Sequence, residues 1–384
     1  MRRVDSTTRK TPMSNCLSAE ETRFLDRVRA FAESEVWPES LQWDAQAAFP
    51  EDIWTRLGSM GLLSMTLPVS MGGTGFSCRT YCEACRILAA ADPALSMNVA
   101  AVNALVVAHI ARFGTDEQRA RYLPGIVSGD IRLAWGLTEP DAGSDARRVR
   151  TRATPIAGRE GWYHLDGEKM FITNAGRANL IVVIARVSEK ELSAFLMETD
   201  QPGFELVERI PTVGVRASFT ARFRMNRAEA WHTPCTFEEA ISLLHRGRLG
   251  IAAMALGIAE RAFDLMVGYA KEREQFNRRL GDMQSVQNMI ADSAVELEAS
   301  RLLIQNAAQM FDDGLPIVAQ ASMAKLFASE TANRVTNRSI QVHGGRGMVP
   351  EYRVEKLWRD AKLTEIGEGC SEIQRMVIAK QALK

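Results

Sequence analysis

The sequence predicts an α+β multidomain protein, with a helical segment, a β segment and a second helical segment in that order along 384 residues. Three observations carry this. Apolar residues recur at helical spacing up to about Gly129, the period shortens to two between about Leu133 and Met225, and helical spacing returns from about Phe237. Strands confined to one middle block argue against an alternating α/β sheet, and no internal repeat or glycine-rich phosphate loop after a strand argues otherwise.

Residues 1–15 carry Arg2, Arg3, Arg9 and Lys10 against Asp5 and read as a disordered basic tail, the alternative being a transit peptide. An N-terminal helical domain is expected over 16–132. Phe24, Val28, Phe31 and Ala32, then Trp54, Leu57, Met60 and Gly61, lie on helical faces; Ser18 with Glu21 forms a capping-box pattern, and Pro68 with Gly72 and Gly73 breaks the chain before the next helical run. The most apolar run, Leu95 to Ala111, contains Ser96, Asn98, Asn103 and His109 and reads as a buried helix, not a membrane span.

A middle β domain is expected over 133–236. Tyr163, Leu165 and Gly167 alternate with polar neighbours, Leu180 to Ile184 is rich in β-formers, Ser218 to Met225 alternates again, and Gly158, Gly161, Gly176, Gly203 and Gly214 punctuate the runs at spacings that suit an antiparallel sheet or barrel. A helical bundle is expected over 237–384. Ile251, Ala252, Leu256, Ala259, Ala262, Phe263 and Met266 form one wide apolar stripe; Leu297, Leu302, Leu303, Ala307 and Met310 form another.

Lys plus Arg and Asp plus Glu each total 47, leaving no charge excess to hold a polyanion or an anionic membrane surface. Neither a nucleic acid nor a membrane is therefore expected as a partner. Hydrophobic residues at 46% and charged residues at 24% match ordinary globular usage. Six cysteines in a chain of this length make no disulfide framework, which points to a reducing compartment: the cytoplasm, or the mitochondrial matrix in a eukaryote. Cys78, Cys82 and Cys85 have a spacing used for iron–sulfur ligation, but Tyr81, Ala84, Ile87 and Leu88 place them on a helix, where cysteine serves as a small buried residue. The five histidines are scattered without ligand spacing, so no metal site is expected.

Five segments suggest chemistry. Trp135-Gly136-Leu137-Thr138-Glu139-Pro140 and Phe171-Ile172-Thr173-Asn174 combine aromatic faces, hydroxyls and turns that suit a flat heteroaromatic ligand, though each alone also reads as a structural turn. Glu368, between Gly367 and Gly369 and before a helix capped by Cys370 or Ser371, is either a general base or a charge favouring the helix N-terminus. Arg273-Glu274-Gln275-Phe276, at the end of a long helix closing near Tyr269, and Gln341 with Gly344 and Gly345 offer a guanidinium fork and free amides for a pyrophosphate; a surface ion pair is the alternative for the arginine.

Read together from about Ala19 to the C-terminus, five ordered motifs resemble the acyl-CoA dehydrogenase family. They are Leu137-Thr138-Glu139-Pro140-x-Ala142-Gly143-Ser144-Asp145, Phe171-Ile172-Thr173-Asn174, Tyr269-Ala270-x-Glu272-Arg273-x-Gln275-Phe276, Gln341-x-x-Gly344-Gly345, and Glu368-Gly369-x-Ser371-Glu372-Ile373-Gln374-Arg375. The resemblance implies an all-α N-terminal domain, an antiparallel β-barrel or sheet, a C-terminal four-helix bundle, and a homotetramer binding one FAD per subunit. It implies further that Trp135, Leu137, Thr138, Phe171 and Thr173 line the flavin with Cys370 beside it, that Arg273, Gln275, Phe276, Gln341, Gly344 and Gly345 hold the diphosphate and adenine of a neighbouring subunit's FAD, and that Ser144, Gln284 and Glu372 also bind the cofactor. Ser144, His245, Arg248 and Gly369 then fall to the thioester substrate, and Glu368 with Arg248 to catalysis.

The activity so implied belongs to fatty acid metabolism: removal of the α-proton of an acyl-CoA by Glu368, transfer of the β-hydrogen to flavin N5, and passage of electrons to an electron-transfer flavoprotein. A flavin oxidase or monooxygenase of the same fold, a dehydrogenase of carrier-protein-bound acyl groups and a non-catalytic binding member are the alternatives. Relatives with the base on the long helix would carry it at Gly247, which has no side chain to serve. Departures from the family pattern are Cys370 for a usual threonine, Asn277 and Asp141 for glycines, His245 for a frequent acid, and an Ala228 to Leu244 linker without a glycine-rich stretch. Gly367 leaves room for a branched or substituted acyl group.

Overall fold

The computed structural model describes residues 17–384, so the expected tail over 1–15 lies outside the described residues. Helix α1 (Ala19–Phe31) starts at the expected capping box: Ser18 Oγ accepts from the Glu21 N–H and the Glu21 carboxylate accepts from the Ser18 N–H. The same carboxylate accepts from the hydroxyls of Ser77, at 2.6 Å, and Thr80, at 2.8 Å, at the start of α4 (Cys78–Ala91). Although burial pushes its pKa up, these hydrogen bonds outweigh that and hold it at about 2. Between them lie α2 (Trp37–Gln46) and α3 (Ile53–Ser59).

The apolar run forms one continuous helix, Pro93–Phe113, made of α5 (Pro93–Ala101), a π-helical stretch (Val102–Val107) and α6 (Ala108–Phe113); α7 (Asp116–Ser128) follows. It is long and apolar enough to cross a membrane, yet 83% of its most apolar window is buried inside the protein. Ser96, Asn98 and Asn103 find hydrogen-bond partners within the core, whereas His109 pairs through Nε2 with Thr233 Oγ1 and keeps a buried Nδ1 without a partner. Asn103 donates to Leu62 O and accepts from the Met65 N–H, each at 2.8 Å, fixing the 62–65 turn against the helix. Cys78, Cys82 and Cys85 are all buried on α4.

The middle segment contains β1 (Leu133–Gly136), β2 (Arg152–Pro155), β3 (Trp162–Ile172), β4 (Leu180–Arg186), β5 (Leu192–Glu198), β6 (Phe204–Arg209) and β7 (Ala221–Thr233). Strands β4, β2, β3, β7 and β5 pair in a ring that closes because β4 also pairs with β5, with β1 and β6 added outside it. Leu165, Val183, Phe195, Met197 and Phe223 fill the interior. Pairing is antiparallel except where β4 meets β1 and β2, which it does in parallel. The alternation expected from Ser218 starts late. A short 3₁₀ turn, Arg216–Ser218, is bracketed by Val215 and Phe219, each at φ 48°, and β7 begins only at Ala221.

A cross-domain contact explains that turn. Helix α12 (Val354–Ile366) presents Asp360, whose Oδ1 accepts from the Val215 N–H at 2.6 Å. Asp360 Oδ2 and Asp92 Oδ2 both pair with Lys356 Nζ, at 2.7 Å and 3.0 Å, and Asp92 Oδ1 caps α5 through the Leu95 N–H. All three charged side chains are buried. Burial pushes the Lys356 ammonium down, but the two carboxylates outweigh it and hold its pKa above the usual lysine value.

The C-terminal bundle consists of the long helices α9 (Leu244–Glu272), α10 (Gln284–Asp312) and α11 (Val318–His343) with α12, preceded by the short α8 (Phe237–Ser242) and followed by α13 (Ser371–Ala382). Helix α9 runs three residues past the expected end at Tyr269 before a tight hairpin of β8 (Glu274–Gln275) and β9 (Arg278–Arg279). Replacing Asp360 by alanine should cost about 3–5 kcal/mol, because Lys356 loses one buried partner and the Val215 N–H its acceptor. A fall in the thermal unfolding midpoint, beyond that of an exposed-site control such as Asp116→Ala, checks it.

Candidate functional site

Glu368 occupies the loop joining α12 to α13, at φ 53°, followed by Gly369 at φ 95°. Two successive left-handed residues reverse the chain and turn the carboxylate toward α9, where a Cβ on Gly247 would overlap Oε2. That oxygen is buried and has no hydrogen-bond partner. No described residue accepts from the Glu368 N–H either. Burial pushes this carboxyl up to about 7, against the opposing pull of Arg248 and Lys325.

Arg248, buried on α9, donates from Nη1 to Ser322 Oγ at 3.2 Å and to His245 Nδ1 at 3.3 Å, while its Nε is buried without a partner. Burial and the adjacent guanidinium push His245 down to about 4, so a neutral ring with an accepting Nδ1 is the form present at pH 7. The cap of α13 falls on Cys370, one of the two expected residues, but it is not made by a side chain. Cys370 holds the N-cap position without a side-chain hydrogen bond, and Ser371 Oγ is buried with no partner. Cysteine is a weak acceptor for this purpose, and the loop is held instead by Gln374 Nε2, which donates to Gly369 O at 2.8 Å.

The loop after β1 faces this region. Ser144 Oγ lies 3.8 Å from Cys370 Sγ, joining the β domain to the base loop. Glu139 is buried against Lys169 at 2.8 Å and accepts from the backbone of Arg150 and Thr151, while Lys169 Nζ also donates to Leu137 O at 3.1 Å. Burial pushes Lys169 down to about 8. This pair pins the Leu137-Thr138 backbone, and Thr138 O accepts from Met170, next to Phe171. Phe171 itself sits at φ 58° with its ring 57% exposed, Thr173 is half-buried, and the Trp135 indole Nε1 is buried without a partner. An exposed aromatic face and a buried, unpartnered indole donor in the same domain fit a flat heteroaromatic ring with polar edges.

A second group lies at the other end of the long helices. In the β8–β9 hairpin, Phe276 (φ 54°) and Asn277 (φ 58°) are both left-handed, the requirement of a type I′ turn, and the Phe276 ring is 90% exposed. Arg273 O receives the Leu280 N–H at 2.8 Å and closes the hairpin base. Gln275 and Gln284 are exposed beside it, as are Gln341 in the last turn of α11 and Gly344 and Gly345 after it, where a Cβ on either glycine would meet nothing within 4 Å. Among the described residues no hydrogen bond or ring contact links this group to Trp135, Phe171 or Glu368. Glu372 points outward from the first turn of α13.

Lys325, Lys169 and Tyr81 were not legible as site residues. Lys325 stands in a small-residue helix face, Ala321 to Ala328, and a lone lysine in an apolar stripe is the one available signal. Gly247→Ala should leave stability unchanged or raise it by up to ~1 kcal/mol, as glycine in a helix costs about that relative to alanine. Its Cβ should nonetheless displace the Glu368 carboxylate, to be read in a crystal structure of the variant.

Three family models match in order: acyl-CoA dehydrogenase N-terminal domain over residues 18–130, middle domain over 134–228 and C-terminal domain over 237–383. The chain is 38% identical to "Probable acyl-CoA dehydrogenase YngJ" of Bacillus subtilis, over 96% of this chain and 99% of that one. It is 33% identical to the caffeyl-CoA reductase-Etf complex subunit CarC of Acetobacterium woodii, over 95% and 99%. The solved butyryl-CoA dehydrogenase of Megasphaera elsdenii superposes with a TM-score of 0.92 at 33% identity, covering 97% of this chain and 100% of that one. A glutaryl-CoA dehydrogenase of Mycobacterium smegmatis in complex with FADH2 superposes with a TM-score of 0.90 at 28% identity, with 95% of each chain covered.

Proposed function

Because the chain belongs to the acyl-CoA dehydrogenase family of FAD-dependent oxidoreductases, we propose that it introduces an α,β double bond into an acyl-CoA thioester with Glu368 as the base. The observation that carries this reading is the buried, unpartnered Glu368 Oε2, aimed at α9 between the Arg248 and Lys325 cations. A carboxylate starved of hydrogen bonds and raised toward neutrality is a stronger base than a solvated one. Glu368 takes the α-proton as the Cα–H bond breaks, and the electron pair left on Cα forms the new double bond. The β-hydrogen leaves as hydride, for which bound FAD supplies the acceptor.

The residues suit that cofactor. Trp135 Nε1 and Ser371 Oγ are buried donors without partners, and Phe171 presents an open ring. Trp135, Leu137, Thr138, Phe171 and Thr173 would hold the ring system, with Ser144, Cys370 and Glu372 at its margin. The Glu368 N–H, which has no acceptor among the described residues, would donate to the thioester oxygen as enolate charge develops. Arg248 holds the neighbouring wall, while neutral His245 and Gly369 border the thioester.

Arg273, Gln275, Phe276, Gln284, Gln341, Gly344 and Gly345 form a surface group with no contact to the flavin-ring residues, so we assign them to the FAD of a second copy in a homotetramer. Exposed apolar residues on the bundle, Phe276, Val295, Leu302 and Met376, support association. An electron-transfer flavoprotein as acceptor is supported by the Etf-complex relative, and a cytoplasmic location by the bacterial relatives.

Glu368→Gln should retain FAD and abolish bleaching of the flavin by acyl-CoA under anaerobic conditions; undiminished bleaching defeats the base assignment. With a folded-state pKa of about 7, the Glu368 carboxylate is lost as pH falls, so the rate of bleaching should drop about tenfold per unit below that midpoint. Arg273→Ala should purify with flavin absorbance per subunit much reduced, while the thermal midpoint of its apoprotein matches that of the parent apoprotein.

A further inference from the structure

Helix α11 turns a polar stripe toward the base loop. Ser322 Oγ accepts from Arg248, Lys325 Nζ donates to Gly369 O at 2.8 Å, Ser329 Oγ donates to Thr364 O at 2.7 Å, and Asn333 Nδ2 donates to Ala361 O at 3.2 Å. These residues recur at helical spacing, so one face of one helix meets Arg248 of α9 at Ser322 and grips α12 and the loop that follows it through the other three. Within the stripe Lys325 is the sole charged member. It is fully buried, and its single hydrogen bond goes to the carbonyl of the residue after Glu368.

A buried ammonium without a carboxylate in salt-bridge range is costly, and a backbone carbonyl alone compensates poorly. The anion nearest in effect is Glu368, whose field holds the Lys325 proton on against the pull of burial, which brings its pKa down to about 8. The other groups facing this pair are Arg248 with His245 on α9, Tyr81 and Cys85 on α4, Glu365 on α12, and Cys370 in the loop. Tyr81 and Cys85 are held far above their usual values by burial and stay neutral. Two cations, on separate helices, therefore bracket one carboxylate.

We infer that Lys325 is a positioning residue for the base: its hydrogen bond to Gly369 O holds the left-handed Glu368–Gly369 turn, and its charge favours the ionised form of the Glu368 carboxylate in a buried site. The two contributions are separable. Lys325→Gln can still donate to the carbonyl but carries no charge, whereas Lys325→Arg keeps the charge. This rests on the reading of Glu368 as the base, although its primary readout does not.

The test is infrared titration of the Glu368 carboxyl in the FAD-loaded protein without substrate, the band being identified by its loss in Glu368→Gln. Lys325→Gln should raise the midpoint by about one pH unit, since removing a nearby cation disfavours the carboxylate, and Lys325→Arg should restore it. The acid limb of flavin bleaching by butyryl-CoA should move by the same amount. An unchanged infrared midpoint in Lys325→Gln overturns the inference, whatever the activity. Should that variant fail to fold while Lys325→Arg folds, the midpoint of Lys325→Arg decides: a shift of more than about one unit despite the retained charge refutes the role. A shifted midpoint with bleaching unaffected at every pH overturns instead the role of Glu368 as base.

Discussion

The buried charge cluster of Lys356, Asp92 and Asp360 is the constraint on which the site depends. It joins the N-cap of α5, the middle of α12 and, through the Val215 N–H, a loop of the β domain. Buried ion pairs add little net stability against apolar packing, because desolvation offsets attraction. What they impose is geometry: an ammonium that must satisfy two carboxylates leaves α12 no alternative register. A second set of charges reinforces the docking from the surface side, with Asp44 accepting from Arg359 at 2.7 Å and from Arg216 at 3.3 Å. Since Glu368 follows α12 by two residues, its position relative to the β domain is set there.

The β domain meets this arrangement with a parallel solution. Glu139 and Lys169 form a buried pair whose purpose is to fix backbone, since Lys169 also binds Leu137 O and Glu139 the amides of Arg150 and Thr151. The segment carrying Leu137 and Thr138 is thereby rigid, although it has loop conformation. Rigidity matters for a planar ligand, whose edge contacts are lost if the backbone shifts by a fraction of an ångström.

Much of this was legible in the sequence where local chemistry decides the outcome. The Ser18–Glu21 box, the buried run after Pro93 and the segregation of strands depend on neighbours in the chain, and each formed as expected. The strand start after Ser218 was misread because a left-handed Val215 is docked on α12, through a contact with a residue 145 positions away, and a second left-handed residue, Phe219, follows before β7 can begin. The α13 cap was legible in position, at Cys370, but not in its chemistry, because Gln374 satisfies the loop from inside the helix in place of a side-chain cap. Motif residues such as Glu368 and Phe276 were visible; the groups that tune them, Lys325 and Lys169, resemble solvent-facing lysines until the fold buries them.

The stripe on α11 makes that helix a ruler. Its four contacts fall on one face only while the residue count between Ser322 and Asn333 is kept, since one added residue turns everything beyond it by about 100°. Such an insertion would leave composition, charge and apolar content almost unaltered and still uncouple half of the stripe from α12. Divergence in this chain should thus proceed in α11 by replacement alone, with changes of length confined to segments such as the turn between β4 and β5, where no register is at stake.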